Sequence, residues 1–195
     1  MAEEGIPVHE YCTYHSTTYA AISPKQPALS TRGKSALVAD AGSCIGARVS
    51  YSLAQSSLTH LAILSRDRET LTRIRNTIAR TFPDTDVFVI PIDLCNAEVT
   101  KCAIQAFATR LPRGKIDILV ACAGALGLLG PLATEDPDAW QAALGDNFWA
   151  NYNLIHAFLP LASPGAHVAY MSSAVVHGPA FPRSRVLRCW QGCYY

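Results

Sequence analysis

The sequence predicts an α/β domain with a doubly wound parallel sheet, its five strands in the order 3-2-1-4-5. Three observations support this. Short apolar runs alternate with segments of helical period, each roughly ten to fifteen residues long. A turn of small residues joins the first apolar run to the first helical segment, between Ser35 and Gly46. Right-handed crossovers between parallel strands then leave few arrangements.

Residues 1–32 show no period and are interrupted by Pro7, Pro24 and Pro27, so they read as an extended arm. The domain proper is expected over 33–180, and 181–195 read as an irregular tail. Gly33 and Lys34 lead into the first strand, Ala36 to Ala39. The first helix is expected from Ile45 to Gln55, because Ile45, Val49, Leu53 and Ala54 share one face. His60 to Leu64 is the second strand. Arg68 to Thr81 is the second helix, with Leu71, Ile74 and Ile78 on one stripe. A turn at Pro83-Asp84 precedes the third strand, Val87 to Ile90. Asn96 is positioned to cap a helix running to Arg110, which Pro112 and Gly114 stop. The fourth strand is Ile116 to Ala121, followed by a loop containing Gly124, Gly127, Gly130 and Pro131. One long helical pattern covers Asp136 to Leu159, with Leu144, Phe148, Ile155 and Phe158 on one side and Pro160 and Pro164 closing it. His167 to Met171 is the fifth strand.

Composition excludes several classes. With half of 195 residues apolar and 16% charged, the chain buries a core and is not a disordered tract. A net charge of +1 with scattered Lys and Arg argues against a nucleic-acid or membrane-surface footprint. No apolar run is long enough for a membrane helix, and the acidic start Met1-Ala2-Glu3-Glu4 lacks a signal-peptide pattern. Seven dispersed cysteines, an odd number, suggest reduced thiols in a cytoplasmic protein over a disulfide framework. His177, Cys189 and Cys193 lack the regular spacing of a metal site, and no metal is expected.

The turn carries the functional reading. A strand, a tight turn and a helix N-terminus form an anion cradle, since free amides and the positive helix dipole face the turn. In a doubly wound sheet that cradle holds a dinucleotide pyrophosphate, in a cleft at the C-terminal strand ends between strands one and four. Such a fingerprint asks for three glycines; here Asp40, Cys44 and Gly46 stand at those places, with Gly42 and Ser43 keeping the turn small. A carboxylate on Asp40 facing the pyrophosphate at about 4 Å would cost about 4 kcal/mol at an effective dielectric of about 20. That is about a thousandfold in affinity. A plain strand-to-helix turn without a ligand is the alternative at this point.

Gly33 to about Pro179 resembles the short-chain dehydrogenase/reductase family, and Tyr19 to Pro24 with Leu29-Ser30 and Gly33-Lys34 looks like the leader of its fungal members. Ala39-Asp40-Ala41-Gly42-Ser43-Cys44-Ile45-Gly46 aligns with the family's T-G-x-x-x-G-x-G turn. The resemblance implies a Rossmann-like fold and hydride transfer between NADP(H) and a small carbonyl or alcohol. Arg66, where NAD-preferring members carry an acid, would pair with a 2′-phosphate, making NAD(H) the lesser candidate. Asp93 and Leu94 would border the adenine. Ala121-Cys122-Ala123-Gly124 replaces the family's N-N-A-G, with Ala123 and Gly124 beside the cofactor. Asn147 would hold a water of the proton relay, and Ser173 would bond the substrate carbonyl. Read without the resemblance, Arg66 is a solvated surface residue, Asp93 caps a loop, Asn147 lies on an exposed helix face and Ser173 ends a strand.

The family then places a Y-x-x-x-K motif whose lysine lowers the pKa of the catalytic phenol. Val186 and Leu187 stand in that neighbourhood, and Lys115 is the last lysine in these 195 residues. After Phe181 the likeness ends in what resembles an out-of-frame or alternatively spliced tail. The expected sheet is therefore incomplete at its C-terminus, the family-type dimer loses its interface helix, and Phe148, Ile155 and the fifth strand are left uncovered. Three functional readings are open: a catalytically deficient NADP(H)-binding relative, a non-catalytic nucleotide-binding or interaction protein, and a fragment of an active reductase.

Overall fold

The computed structural model describes residues 18–125 and 136–172. Five parallel strands form one sheet in the order β3-β2-β1-β4-β5, which is the expected topology. The strands are β1 (Ser35–Ala39), β2 (His60–Ser65), β3 (Asp86–Pro91), β4 (Ile116–Ala121) and β5 (Ala162–Tyr170). The helices are α1 (Cys44–Gln55), α2 (Arg68–Thr81), α3 (Ala97–Ala108), α4 (Pro137–Leu144) and α5 (Ala150–Phe158).

β1 is central and wholly buried because helices cover both of its faces. Alternation along it divides the core. Leu37 and Ala39 face Leu119, Phe107, Ile104, Leu154 and Phe158, whereas Ala36 and Val38 face Ala54, Leu58, Leu71 and Ile78. Each helix start has a chemical cause. The side chains of Ser43, Asp67, Asn96 and Asp136 accept backbone N–H groups of the first turns of α1, α2, α3 and α4. Ahead of β1, two short 3-10 turns, Ala20–Ile22 and Pro27–Leu29, precede a segment tied to the end of α1. There the Thr31 N–H donates to Ser56 O at 2.8 Å, and the Gly33 N–H donates to Thr59 Oγ1 at 2.8 Å.

The structure corrects the sequence reading at two places. The expected helix over 136–159 is interrupted by a π turn at Gly145–Trp149. Asn147 lies in it, and its Nδ2 donates to Ala143 O at 2.8 Å, a side-chain bond to a carbonyl of the helical ladder. The wide turn rotates the remainder of the helix, so Phe148 and Ile155 are half-buried, while Trp149 and Tyr152 are 50% and 47% exposed. The second place is β5, which starts at Ala162. Its register against β4 jumps from Ile116↔Ala162 to Ile118↔His167, a bulge holding Pro164 and Gly165, the latter at φ 75°. Pro164 therefore interrupts a strand and does not close a helix. β5 is the outer strand and is mostly exposed, as expected. Among the described residues no helix is long and apolar enough to cross a membrane.

Candidate functional site

The turn after β1 is drawn tight by Ser43. Its Oγ donates to Asp40 O at 2.8 Å and accepts the Gly46 N–H at 3.1 Å, and its own N–H donates to Asp40 O at 3.0 Å. The first intrahelical bond runs from Ala47 N to Ser43 O, so the amides of Cys44 and Ile45 at the helix start have no intrahelical acceptor. Both residues are exposed. Asp40 has φ 51°, the left-handed region that glycine enters freely and a β-carbon resists. A β-carbon on Gly46 would lie 2.3 Å from Asp40 O, so α1 meets the end of β1 at backbone contact.

The ends of β1 to β4 converge on one open cleft. Asp40, Ser65, Arg66, Asp93, Leu94 and Gly124 line it, together with Asp146 from the π turn. Its charge is uneven: three carboxylates face one guanidinium. Arg66 Nη1 lies 3.5 Å from Asp146 Oδ1. Burial pushes the Asp40 carboxyl above its ordinary range; Ser43 and Arg66 pull it down and Asp146 adds to the rise. Cys95 Sγ sits 3.9 Å from Asp146 Oδ1. Burial, with Asp93 and Asp146, pushes its thiol up to about 11. Burial and the Asp40 charge do the same to Cys122, also about 11. Both thiols are protonated at neutral pH and are poor nucleophiles.

Three asparagines bind this cleft to the helix behind it. Asn147 Oδ1 accepts the Ala125 N–H at 3.1 Å, and its Nδ2 donates to Ala125 O at 2.8 Å. Asn151 Nδ2 donates to Ala123 O and to Asn147 O, each at 2.9 Å. Asn153 Nδ2 donates to Leu94 O at 3.0 Å and Cys95 O at 3.1 Å. All three side chains are buried. The loops after β3 and β4 are thus held by one helix.

Of the residues singled out from the sequence, Asp40, Arg66, Asp93, Leu94, Ala123 and Gly124 line the cleft together. Gly42 and Ser43 complete the turn and Cys44, Ile45 and Gly46 open α1; none of the five lines this cleft, and Gly42, Ser43 and Cys44 line a separate groove between α1 and α2. Arg66 is exposed but engaged, and Asp93 caps its loop by accepting the Cys95 N–H at 3.0 Å. Asn147 is buried, which removes the reading of it as an exposed polar residue. Ser173, positions 186 and 187, His177, Cys189 and Cys193 lie outside the described residues. Among the described residues no group of three His, Cys, Asp or Glu is placed to hold a metal ion. The sequence reading missed Asp146, Asn151 and Asn153. The spacing of Asn147 and Asn151 was a usable signal, because residues four apart share a helix face.

A polar cleft at the strand ends, with a tight turn and a helix N-terminus following β1, is the arrangement of nucleotide-binding doubly wound α/β domains. The comparisons narrow the class. The family model described as short chain dehydrogenase matches residues 34–182, and the chain belongs to that family. It is 30% identical over 150 residues to the short chain dehydrogenase pigC of Monascus ruber, an alignment covering 76% of this chain and 49% of that protein. It is 31% identical over 150 residues to the short chain dehydrogenase tazN of Aspergillus terreus, covering 75% and 31% respectively. The chain thus spans half or less of the length of these two relatives. Among solved structures, a short chain dehydrogenase of Escherichia coli CFT073 complexed with NADPH superposes with TM-score 0.74 at 25% identity, over 84% of this chain and 68% of that one. A short chain dehydrogenase of Salmonella enterica serovar Typhi gives TM-score 0.75 at 27% identity, over 88% and 69%.

Proposed function

We propose that residues 33–180 form the dinucleotide-binding domain of an NADP(H)-dependent carbonyl reductase or alcohol dehydrogenase, between an arm at 1–32 and a tail at 181–195. One observation carries this: six residues chosen from the sequence as cofactor contacts line a single cleft at the C-terminal strand ends. The turn would hold the pyrophosphate through the Cys44 and Ile45 amides that open α1, while Gly46 lets α1 pack against the end of β1. Arg66 would take the 2′-phosphate through charge-assisted bonds. Asp93 and Leu94 would flank the adenine, and Ala123 and Gly124 would lie against the remainder. Asn147 holds the Ala125 backbone in position behind that surface. Ser173 would bond the substrate carbonyl. When bound, the nicotinamide supplies the hydride, and the protein's part is to orient it.

The same residues set the limits of this function. Asp40 brings a desolvated carboxyl beside the pyrophosphate position, which weakens binding. Within these 195 residues no lysine follows Lys115, so this stretch by itself holds no Tyr-x-x-x-Lys pair to supply a tuned phenol. Cofactor binding without turnover is therefore the function assigned to these 195 residues, as a catalytically deficient relative or as a fragment of an active reductase. The non-catalytic nucleotide-binding reading shares this expectation.

Titrating the 195-residue protein with NADPH by fluorescence tests the binding, and a carbonyl-reduction assay tests the turnover. Saturable quenching with no reduction is expected. No saturation at millimolar NADPH would overturn cofactor binding, and measurable reduction would overturn the assigned deficiency.

A further inference from the structure

We infer that Asp146 is a specificity-determining residue, a built-in competitor that occupies Arg66 and lowers the preference of the cleft for a 2′-phosphorylated dinucleotide. The inference rests on the reading of the cleft as an NADP(H) site. Arg66 comes after β2 on one lip, and Asp146 lies in the π turn on the other. Their closest atoms, Nη1 and Oδ1, are 3.5 Å apart across the opening. Among the described residues lining the cleft, Arg66 is the one cation and faces Asp40, Asp93 and Asp146. A guanidinium binds a phosphate best through two parallel N–H bonds. A 2′-phosphate must therefore take Arg66 from Asp146, and it meets the Asp146 charge as it does so. A ribose with a free 2′-hydroxyl needs neither step.

Asp146 is held where it can compete. The π turn that carries it is fixed by Asn147 bonding both Ala125 and Ala143. The Cys95 thiol, 3.9 Å from Asp146 Oδ1, is protonated and adds no charge, and the Asp40 carboxyl faces Asp146 in the cleft. The Arg66 side chain is 70% exposed and that of Asp146 30% exposed, so solvent screens the pair and limits its weight. Removing the Asp146 charge should tighten NADPH by about threefold to fivefold. NADH should change little.

The test uses the full 195-residue chain as wild type, D146N, R66Q and the double variant R66Q/D146N. Each is titrated with NADPH and NADH by fluorescence at one ionic strength, with circular dichroism melting to confirm that each variant folds. D146N should tighten NADPH about threefold to fivefold with NADH nearly constant, and most of this gain should disappear in the R66Q background, the remainder being the direct repulsion between the Asp146 carboxylate and the 2′-phosphate. Equal changes for both cofactors, no change for either, or a gain that persists undiminished without Arg66 would each overturn the competitor role. Wild type that binds both cofactors while D146N alters neither removes this inference alone. Wild type that binds neither cofactor removes the reading of the cleft, and the inference with it.

Discussion

The carbonyl oxygen of Asp40 stands 2.3 Å from where a methyl group on Gly46 would project, and the Cα of Ala41 stands 2.8 Å from it. Both obstacles are backbone and neither can rotate away. Gly46→Ala should therefore push α1 off the end of β1 and destabilise the domain by about 3 kcal/mol. Gly42→Ala is the control. Its added methyl would meet Ser65 Oγ at 2.8 Å, the tip of a side chain that can turn aside, so the cost should stay below about 1 kcal/mol. Urea denaturation midpoints measure both. Equal losses for the two variants would refute the distinction between backbone and side-chain obstacles.

Asp40 occupies a backbone conformation that suits glycine, and Asp40→Gly should relieve it. The gain is about 1 kcal/mol, reduced by the extra freedom glycine has in the unfolded chain. pH separates the strain from the charge. Burial raises the folded-state pKa of Asp40, so the folded protein holds that proton more tightly than the unfolded chain does. The unfavourable contribution is absent below about pH 4, the unfolded value, and develops as pH rises through the folded one. The advantage of Asp40→Gly should then be larger at pH 7 than at pH 4. If the proposed site holds, NADPH should also bind the variant more tightly, since a like charge beside the proposed pyrophosphate position is gone. A melting temperature that falls at both pH values would sink this account.

How far the sequence could be read depended on which forces were local. α2 and β4 were legible to the residue, because Asp67 caps the one and an apolar run interrupted by Asp117 defines the other. Asn96 was legible as a cap because its hydrogen bond, to Val99 N, spans three residues. The π turn was not, because hydrophobic periodicity does not register Asn147, Asn151 and Asn153, which share the buried face with Ala150, Leu154, Ala157 and Phe158. The start of β5 was hidden by Pro164, which reads as a helix stop and lies with Gly165 in a bulge. The cleft was legible as a row of strand ends. Its charge balance was not: Arg66 and Asp146 are far apart in sequence, and only the folded sheet brings them together.

Asp117 offers a test at the opposite end of the sheet. Its carboxylate accepts Ser163 Oγ at 2.7 Å, Ser35 N at 2.9 Å, Ser35 Oγ at 3.1 Å and Arg113 Nη2 at 3.3 Å. Burial works against the charged form, but these bonds and the Arg113 charge outweigh it and hold the group below the ordinary carboxylate range. Linkage fixes the sign. A depressed folded pKa stabilises the protein fully above the unfolded value of about 4, and that stability is lost as pH falls through the folded value. Asp117→Asn should therefore lower the denaturation midpoint at pH 7 and flatten its decline between about pH 4 and pH 2. Parallel curves for the two proteins across that range would show that Asp117 does not contribute in this way.

Asn147 makes the strongest claim on the cleft, because one side chain fixes both a helix turn and a loop. Its amide bonds the Ala125 N–H and C=O as a neighbouring strand would, and its second amino hydrogen holds Ala143 O. It is buried, so truncation leaves these groups without water or a partner. Asn147→Ala should cost about 2 kcal/mol. The loss should also be local. The Ala125 amide should exchange its hydrogen faster than amides in β4, and NADPH affinity should fall because the 123–125 backbone no longer holds its line along the cleft. Asn151→Ala is the comparison. Its Nδ2 holds Ala123 O, whereas its buried Oδ1 has no hydrogen-bond donor among the described residues. That variant should free Ala123 and leave the Ala125 amide protected. Hydrogen exchange read amide by amide decides the matter: unchanged protection at Ala125 in Asn147→Ala would mean that the loop is held by something other than this side chain.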